Sequence, residues 1–188
     1  MNRRLILCAA LLAAVPLLQG CFPVIAGGAA AGALMADDRR TTGVYVEDEN
    51  IEWKALARLH GDFKGHHVNA TSYNLRVLLT GEVADDATKA KVEQMVRSIP
   101  SVKDVANELA VGGNSSLTSR GNDSLITTNV KARMVNNGKF SPNHVKVVTE
   151  AGTVYLMGLV SQAEGEAAVE IARSTSGVSR VVKVFEYR

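Results

Sequence analysis

Cysteine is nearly absent from this chain: Cys8 and Cys21 are the two in 188 residues. That excludes a disulfide framework, a Cys-x-x-Cys redox pair and a cysteine-ligated zinc cluster. Histidine is sparse too, at His60, His66, His67 and His144, with no His-Glu-x-x-His run. His66 and His67 are adjacent and would project to opposite sides of a strand, so they cannot share one metal. A surface role is expected for all four, and neither a metal nor a cofactor is expected. Gly27-Gly28 and Gly112-Gly113 lack a following Lys-Ser/Thr pair, so neither is a phosphate loop. Ser115-Ser116 has no paired histidine, and Asp85-Asp86 and the Glu164/Glu166 pair fall at helix starts, where carboxylates favour the helix dipole. No catalytic residue is therefore expected, and the chain reads as a non-enzyme.

A membrane-spanning run is also missing. Residues 5–18 are apolar apart from Pro16 and follow Asn2-Arg3-Arg4. They fall short of the roughly twenty residues that cross a bilayer, and so read as a secretion signal. The stretch ends in Leu18-Gln19-Gly20-Cys21, which resembles the lipobox of bacterial lipoproteins. The resemblance implies that residues 1–20 are removed and that Cys21 is acylated as the first mature residue. Several acyl chains anchor a protein stably, where one anchors it marginally. Residue 22 is Phe rather than the Asp that commonly retains lipoproteins in the inner membrane, so the resemblance points to the periplasmic side of the outer membrane. Loss of Arg3 and Arg4 from 21 basic residues leaves 19 against 19 acidic ones. A mature net charge of zero gives a nucleic-acid role no support.

Residues 21–43 read as the lipidated cysteine and a flexible tether, with Ala26-Gly27-Gly28-Ala29-Ala30-Ala31-Gly32-Ala33 at its centre. Each glycine costs a helix about 1 kcal/mol, and the run is too short to span a membrane. Val44-Tyr45-Val46 is expected to be a short strand.

Beyond it the dominant signal is an internal repeat. Val77-Leu78-Leu79-Thr80-Gly81-Glu82-Val83 aligns with Val154-Tyr155-Leu156-Met157-Gly158-Leu159-Val160, Val92 to Ser98 with Ala168 to Ser174, and Ala57-Arg58-Leu59 with Ala132-Arg133-Met134. Each copy reads helix, strand, strand, helix, strand. Ile51, Ala55 and Leu59, and then Ile126, Val130 and Met134, recur every four residues and give each first helix a buried stripe. Hairpins are expected over residues 68–72 and 75–83 and over 145–149 and 153–160. The second helices carry Val92, Met95, Val96 and Ile99, and Ala168, Ile171, Ala172 and Thr175, on one face. Asp85 is positioned to cap one, and Ser161-Gln162-Ala163-Glu164 is a capping box for the other. Final strands follow over 102–111 and 178–187. The domains are thus 44–111 and 123–188, joined by a Gly/Asn/Ser-rich linker at 112–122 that is flexible by composition.

A Gly closing a hydrophobic strand, then Val, a capped helix and Gly-Val-x-x-Val resembles the BON domain of bacterial envelope proteins. With the lipobox, the Ala/Gly tether and Asp38-Arg39-Arg40-Thr41-Thr42-Gly43, the pair resembles the dual-BON outer-membrane lipoproteins associated with division and envelope stress. That resemblance implies an α+β fold, with two tandem domains that each pack two helices on one face of a small mixed three-stranded sheet. It also implies binding of anionic, phosphatidylglycerol-like phospholipid, mainly by the second domain, with enrichment at the division septum and support of outer-membrane integrity.

The residues supply their own candidate for that binding. Opposite the buried stripe of the second domain's first helix lie Leu125, Thr128, Ala132 and Val135, flanked by Asn129, Lys131 and Arg133. Apolar residues with basic flanks suit insertion among lipid headgroups. An apolar helix face equally suits a protein contact, here with envelope-assembly or cell-wall-remodelling machinery. Charge favours lipid, because residues 44–111 carry 8 basic and 11 acidic side chains whereas 122–188 carry 8 and 6. The matching face of the first domain holds Asn50, Trp53, Ala57 and His60. Trp53 is expected off its own core, packed on the second domain or the tether. Gly81 and Gly158 are expected to be structural, a side chain at Gly158 disturbing either a turn or a domain contact.

Overall fold

The computed structural model describes residues 37–188. The signal peptide, Cys21 and the Ala/Gly tether to residue 36 lie outside the described residues. In chain order the elements are α1 (Thr42–Asp62), β1 (His67–Tyr73), β2 (Arg76–Val83), α2 (Asp86–Arg97), β3 (Asp104–Asn107), β4 (Ala110–Val111), α3 (Leu117–Val135), β5 (Val145–Glu150), β6 (Thr153–Val160), α4 (Gln162–Arg173) and β7 (Arg180–Tyr187). A 3-10 turn, Pro142–His144, leads into β5. Both copies of the repeat form the same unit. An antiparallel hairpin is followed by a strand returning parallel to the hairpin's second member, giving the orders β1-β2-β3 and β5-β6-β7. In the first copy the last strand breaks at Glu108-Leu109 and resumes as β4.

The helices form where caps and buried stripes coincide. Asp85 caps α2 by accepting from the Thr88 N–H, and Ser161 and Glu164 form the full capping box of α4. Val44-Tyr45-Val46 is not a strand, however, but lies in the first turns of α1. The Thr41 side chain accepts from the Val44 N–H at the start of this helix. The Arg40 guanidinium also lies 4.8 Å from the Tyr45 ring, so capping and stacking override the strand preference of β-branched and aromatic residues. The linker is likewise shorter than expected. Ser116 caps α3 by accepting from Ser119, and residues 117–122 are helical. Residues before them are tied down, with Asn114 bonded to the His67 N–H and the Gly65 carbonyl.

A buried aspartate anchors each unit. Asp48 on α1 accepts from Ser72 Oγ (2.6 Å), the Asn74 N–H (2.9 Å) and the Leu75 N–H (2.8 Å). Asp123, 75 positions on, accepts from the N–H groups of Ala151 and Gly152. Both therefore hold a tight β-turn in which two consecutive residues have positive φ: Asn74 and Leu75 at 53° and 67°, Ala151 and Gly152 at 48° and 73°. Such turns match the twist of a two-residue hairpin.

The central strands are buried on both faces, β6 with apolar residues on each and β2 with Leu78, Thr80 and Glu82 on its second face. Val77, Leu79 and Val83 of β2 face α1 and α2, and Val154, Leu156 and Val160 of β6 face α3 and α4. The alternate residues Leu78, Tyr155 and Met157 join Tyr73 in a third core between the two sheets. The molecule is thus a helix–sheet–sheet–helix stack, each sheet carrying its helices on one face and its sister sheet on the other. Polar bonds rim this contact: Lys146 to Glu52 at 2.7 Å and to the Ser72 carbonyl at 3.1 Å, and Asn74 to Glu186 at 3.0 Å.

The last residues of the segment expected to be a tether belong to the folded part. Arg39 grips Glu164 with two bonds of 2.7 Å and donates to the Leu159 carbonyl at 2.8 Å. Arg40 pairs with Asp38 and Asp48 and stacks on Tyr73, 4.2 Å from the ring centroid. Two successive arginines therefore tie one strap to the second and the first domain respectively.

Candidate functional site

α3 buries Asp123, Ile126, Val130 and Met134 against its own sheet. On the opposite side Leu125 is 65% exposed and Val135 64%. Because the helix begins at Leu117, that face is longer than the sequence suggested. Leu117 (83% exposed) and Gly121 fall on it, at 100° per residue, with Leu125, Thr128, Ala132 and Val135. No charged residue interrupts this line, which runs about 28 Å along the helix at 1.5 Å per residue. Thr128 turns its hydroxyl back to the Ser124 carbonyl (2.9 Å), which leaves its methyl outward.

The flanking polar residues have different duties. Lys131 and Asn129 are exposed, and among the described residues Lys131 has no ion-pair partner. Arg133 is engaged instead. Its guanidinium donates to the Ile171 carbonyl (3.2 Å), Thr175 Oγ1 (2.8 Å) and Ser174 Oγ (3.0 Å), capping the C-terminal end of α4. Arg58, its counterpart in the repeat, does the same for α2 through the Met95 carbonyl (3.4 Å) and Ser98 Oγ (2.8 Å). A cation held at a helix C-terminus balances the exposed carbonyls and the dipole. Arg133 is thus part of the scaffold, and Lys131 is the outward cation of this face.

The strap fixes where the anchored end of the chain enters. Asp37 accepts a bond from Ser141 Oγ, and its carbonyl lies 2.8 Å from His144 Nε2. Ser141 and His144 belong to the segment that leaves the C-terminal end of α3. Arg39 beside them holds the Glu164 carboxyl down to about 2, burial opposing this and the Ser161 bonds assisting.

Two histidines depart from the surface role expected of them. His144 is buried at 8% exposure under the strap. His67 opens β1 directly opposite Glu82 on β2, with Nδ1 3.0 Å from Glu82 Oε2, and faces the second domain, where Glu150 Oε1 lies 3.7 Å away. Burial pushes the Glu82 carboxyl up, but donation from the Ser115 N–H and from His67 outweighs it and leaves the group below its usual range. Burial pushes Glu150 up, His67 opposes this, and the neighbouring Glu82 charge adds to the rise.

Trp53 is 60% exposed on α1, away from its core as expected, but among the described residues neither the second domain nor the strap covers it. Gly81 has φ +111°, and a Cβ there would stand 2.0 Å from the His67 carbonyl oxygen. At Gly158 a Cβ would stand 2.3 Å from the carbonyl oxygen of His144, in the 3-10 turn of the same domain, so the turn rather than a domain contact requires glycine.

Residues 47–113 and residues 122–188 each match the BON domain. The repeated unit therefore defines a tandem BON-domain protein. The chain belongs to the BON family, among its dual-domain outer-membrane lipoproteins. It is 40% identical over 182 residues to the outer membrane lipoprotein DolP of Haemophilus influenzae, covering 95% of this chain and 94% of that one. It is 32% identical to a 21 kDa hemolysin of Actinobacillus pleuropneumoniae, over 80% of this chain and 79% of the other. The osmotically-inducible protein Y of Escherichia coli is 28% identical over 80% of this chain and 78% of its own. Among the described residues no helix is long and apolar enough to cross a membrane, and the candidate attachment residue, Cys21, lies outside them.

Proposed function

We propose that the second BON domain docks on anionic, phosphatidylglycerol-like phospholipid through the outer face of α3, and that the lipid anchor holds it near that surface. The observation that carries this reading is the uncharged line Leu117, Gly121, Leu125, Thr128, Ala132, Val135, exposed to solvent and flanked by Lys131. Inserting such side chains among headgroups removes apolar area from water at about 25 cal/mol per Å². Lys131 adds about 1 kcal/mol near an anionic surface. The sum is modest, so the free domain binds weakly and the anchor supplies the effective concentration. Entry of the chain at Asp37, beside the segment leaving α3, supports an orientation in which the Val135 end meets the bilayer first. Docking of this kind would enrich the protein where anionic lipid collects, including the division septum, and support envelope integrity under stress.

The test is co-sedimentation of residues 37–188 with neutral and with phosphatidylglycerol-containing vesicles, with Leu125→Glu and Lys131→Glu alongside. Salt-sensitive binding that needs the anionic lipid and is weakened in both variants supports the reading. Equal binding to neutral vesicles, or binding untouched by Leu125→Glu, rejects it. The first domain has a different outer face, where Val46, Trp53 and Leu56 of α1 are exposed and this half of the chain is net acidic. That combination favours a protein contact there, with envelope-assembly or cell-wall-remodelling machinery as the partner class.

A further inference from the structure

His67, Glu82 and Glu150 bring one imidazole nitrogen and two carboxylate oxygens within 4.8 Å of one another, all three side chains largely withdrawn from solvent. Two of the ligand-to-ligand distances are 3.0 and 3.7 Å. A tetrahedral ion with bonds of about 2.1 Å to nitrogen and oxygen needs edges of about 3.4 Å. The two edges to His67 are within a few tenths of an ångström of that value, and the two carboxylates, within 4.8 Å of each other, close in on the ion by rotating their side chains.

The cluster holds two carboxylates, and among the described residues neither has a lysine or arginine within ion-pair distance. The Asn69 side-chain amide lies 3.2 Å from His67 Nε2, so Nδ1 is the ring nitrogen that faces the carboxylates. Arg120 on the cleft wall is turned to Ser115, with Nε 3.2 Å from its Oγ and Nη2 3.1 Å from its carbonyl. A cleft of about 310 Å³ bordered by His67, Arg120, Asp123 and Glu150 leads to the cluster and leaves room for a water as fourth ligand. Outer contacts already orient the donors, with the Ser115 N–H on Glu82 (3.0 Å) and the Asn69 amide on Glu150 (3.2 Å).

We propose that His67, Glu82 and Glu150 bind a divalent transition metal of the zinc class across the junction of the two BON domains. With the ion on Nδ1 the neutral ring carries its proton on Nε2, where the Asn69 side-chain amide, turned to present its oxygen, accepts it, and protonation of the ligands in acid competes with the metal. Two ligands come from the first domain and one from the second, so the ion clamps the sheets together at the end where α3 begins.

The experiment uses the intact chain in detergent micelles, stripped with EDTA and titrated with ZnCl2 by calorimetry, with thermal melting measured in parallel. The wild type is expected to take up one ion per chain and to melt at a higher temperature with zinc present. His67→Gln and Glu150→Gln should each weaken uptake at least about tenfold, while His60→Gln, at an exposed site on α1, leaves it unchanged. Glu150→Gln leaves the His67–Glu82 pair in place, so it decides the matter if His67→Gln fails to fold, with near-ultraviolet circular dichroism reporting the fold. Absence of uptake by the wild type at about 100 μM zinc, which puts any Kd above that concentration, overturns the proposal. So does uptake by Glu150→Gln equal to the wild type.

Discussion

Replacing Asp48 by alanine should be among the most damaging single changes in this chain. Asp48 is 2% exposed and receives four donors: Ser72 Oγ, the N–H groups of Asn74 and Leu75, and Arg40 Nη1 at 2.8 Å. Its loss strands two turn N–H groups and a hydroxyl, each costing about 1–3 kcal/mol when buried without a partner. It also removes one of the carboxylates that hold Arg40. Part of that cost is relieved when water reaches the loosened turn, so a loss of about 4 kcal/mol is expected, a large share of the 5–15 kcal/mol typical of a domain. Asp123→Ala strands only the N–H groups of Ala151 and Gly152 and should cost about half as much, roughly 2 kcal/mol. Urea unfolding of residues 37–188, followed by circular dichroism, measures both. The reasoning is refuted if Asp48→Ala stays within about 0.5 kcal/mol of the wild type, or if Asp123→Ala proves the costlier change.

Gly81→Ala should cost about 3 kcal/mol, because it adds a clash with the His67 carbonyl to a left-handed backbone, and Gly158→Ala about 2, from its clash alone. The same unfolding assay checks their order. Glu164, held at about 2 by Arg39 against an ordinary value of 4.5, contributes stability that is fully present above pH 4.5 and fades as the pH falls toward 2. Arg39→Ala should raise the Glu164 titration midpoint, read by carbon-detected NMR, and flatten the acid dependence of stability in that window. Leu125→Glu, at an exposed position on α3, should leave the urea midpoint within about 0.5 kcal/mol of the wild type, so any loss of vesicle binding reports the surface and not the fold.

The repeat made most of this architecture legible. Two copies of one pattern at an offset of 75 to 77 identified both hairpins, both capped helices and both buried stripes, because each signal is local. What stayed hidden depends on partners far along the chain. Val44-Tyr45-Val46 has strand composition, and the cap at Thr41 and the stacking of Arg40 on Tyr45 decide otherwise. Residues 117–122 have linker composition, yet Ser116 caps a helix there and lengthens the uncharged face by two turns. The sheet-to-sheet core was readable in β6, where Tyr155 and Met157 make both faces apolar, and less so in β2, where Leu78 shares its face with Thr80 and Glu82. The pairing of Asp48 with Asp123 also stands at the repeat's own offset, three residues before Ile51 and Ile126. The approach of His67 to Glu150 left no trace in the sequence, because it arises only when one domain docks on the other.

The most direct test of the lipid-docking account places single cysteines at Leu125, at Val135, at Trp53 on α1 and at Glu93 on α2 of residues 37–188, which contain no native cysteine. Each is labelled with an environment-sensitive fluorophore and mixed with phosphatidylglycerol vesicles carrying spin-labelled acyl chains. Quenching at 125 and 135, with none at 53 or 93, is the predicted result. Quenching at 53 with none at 125 would contradict it and assign the membrane face to the first domain.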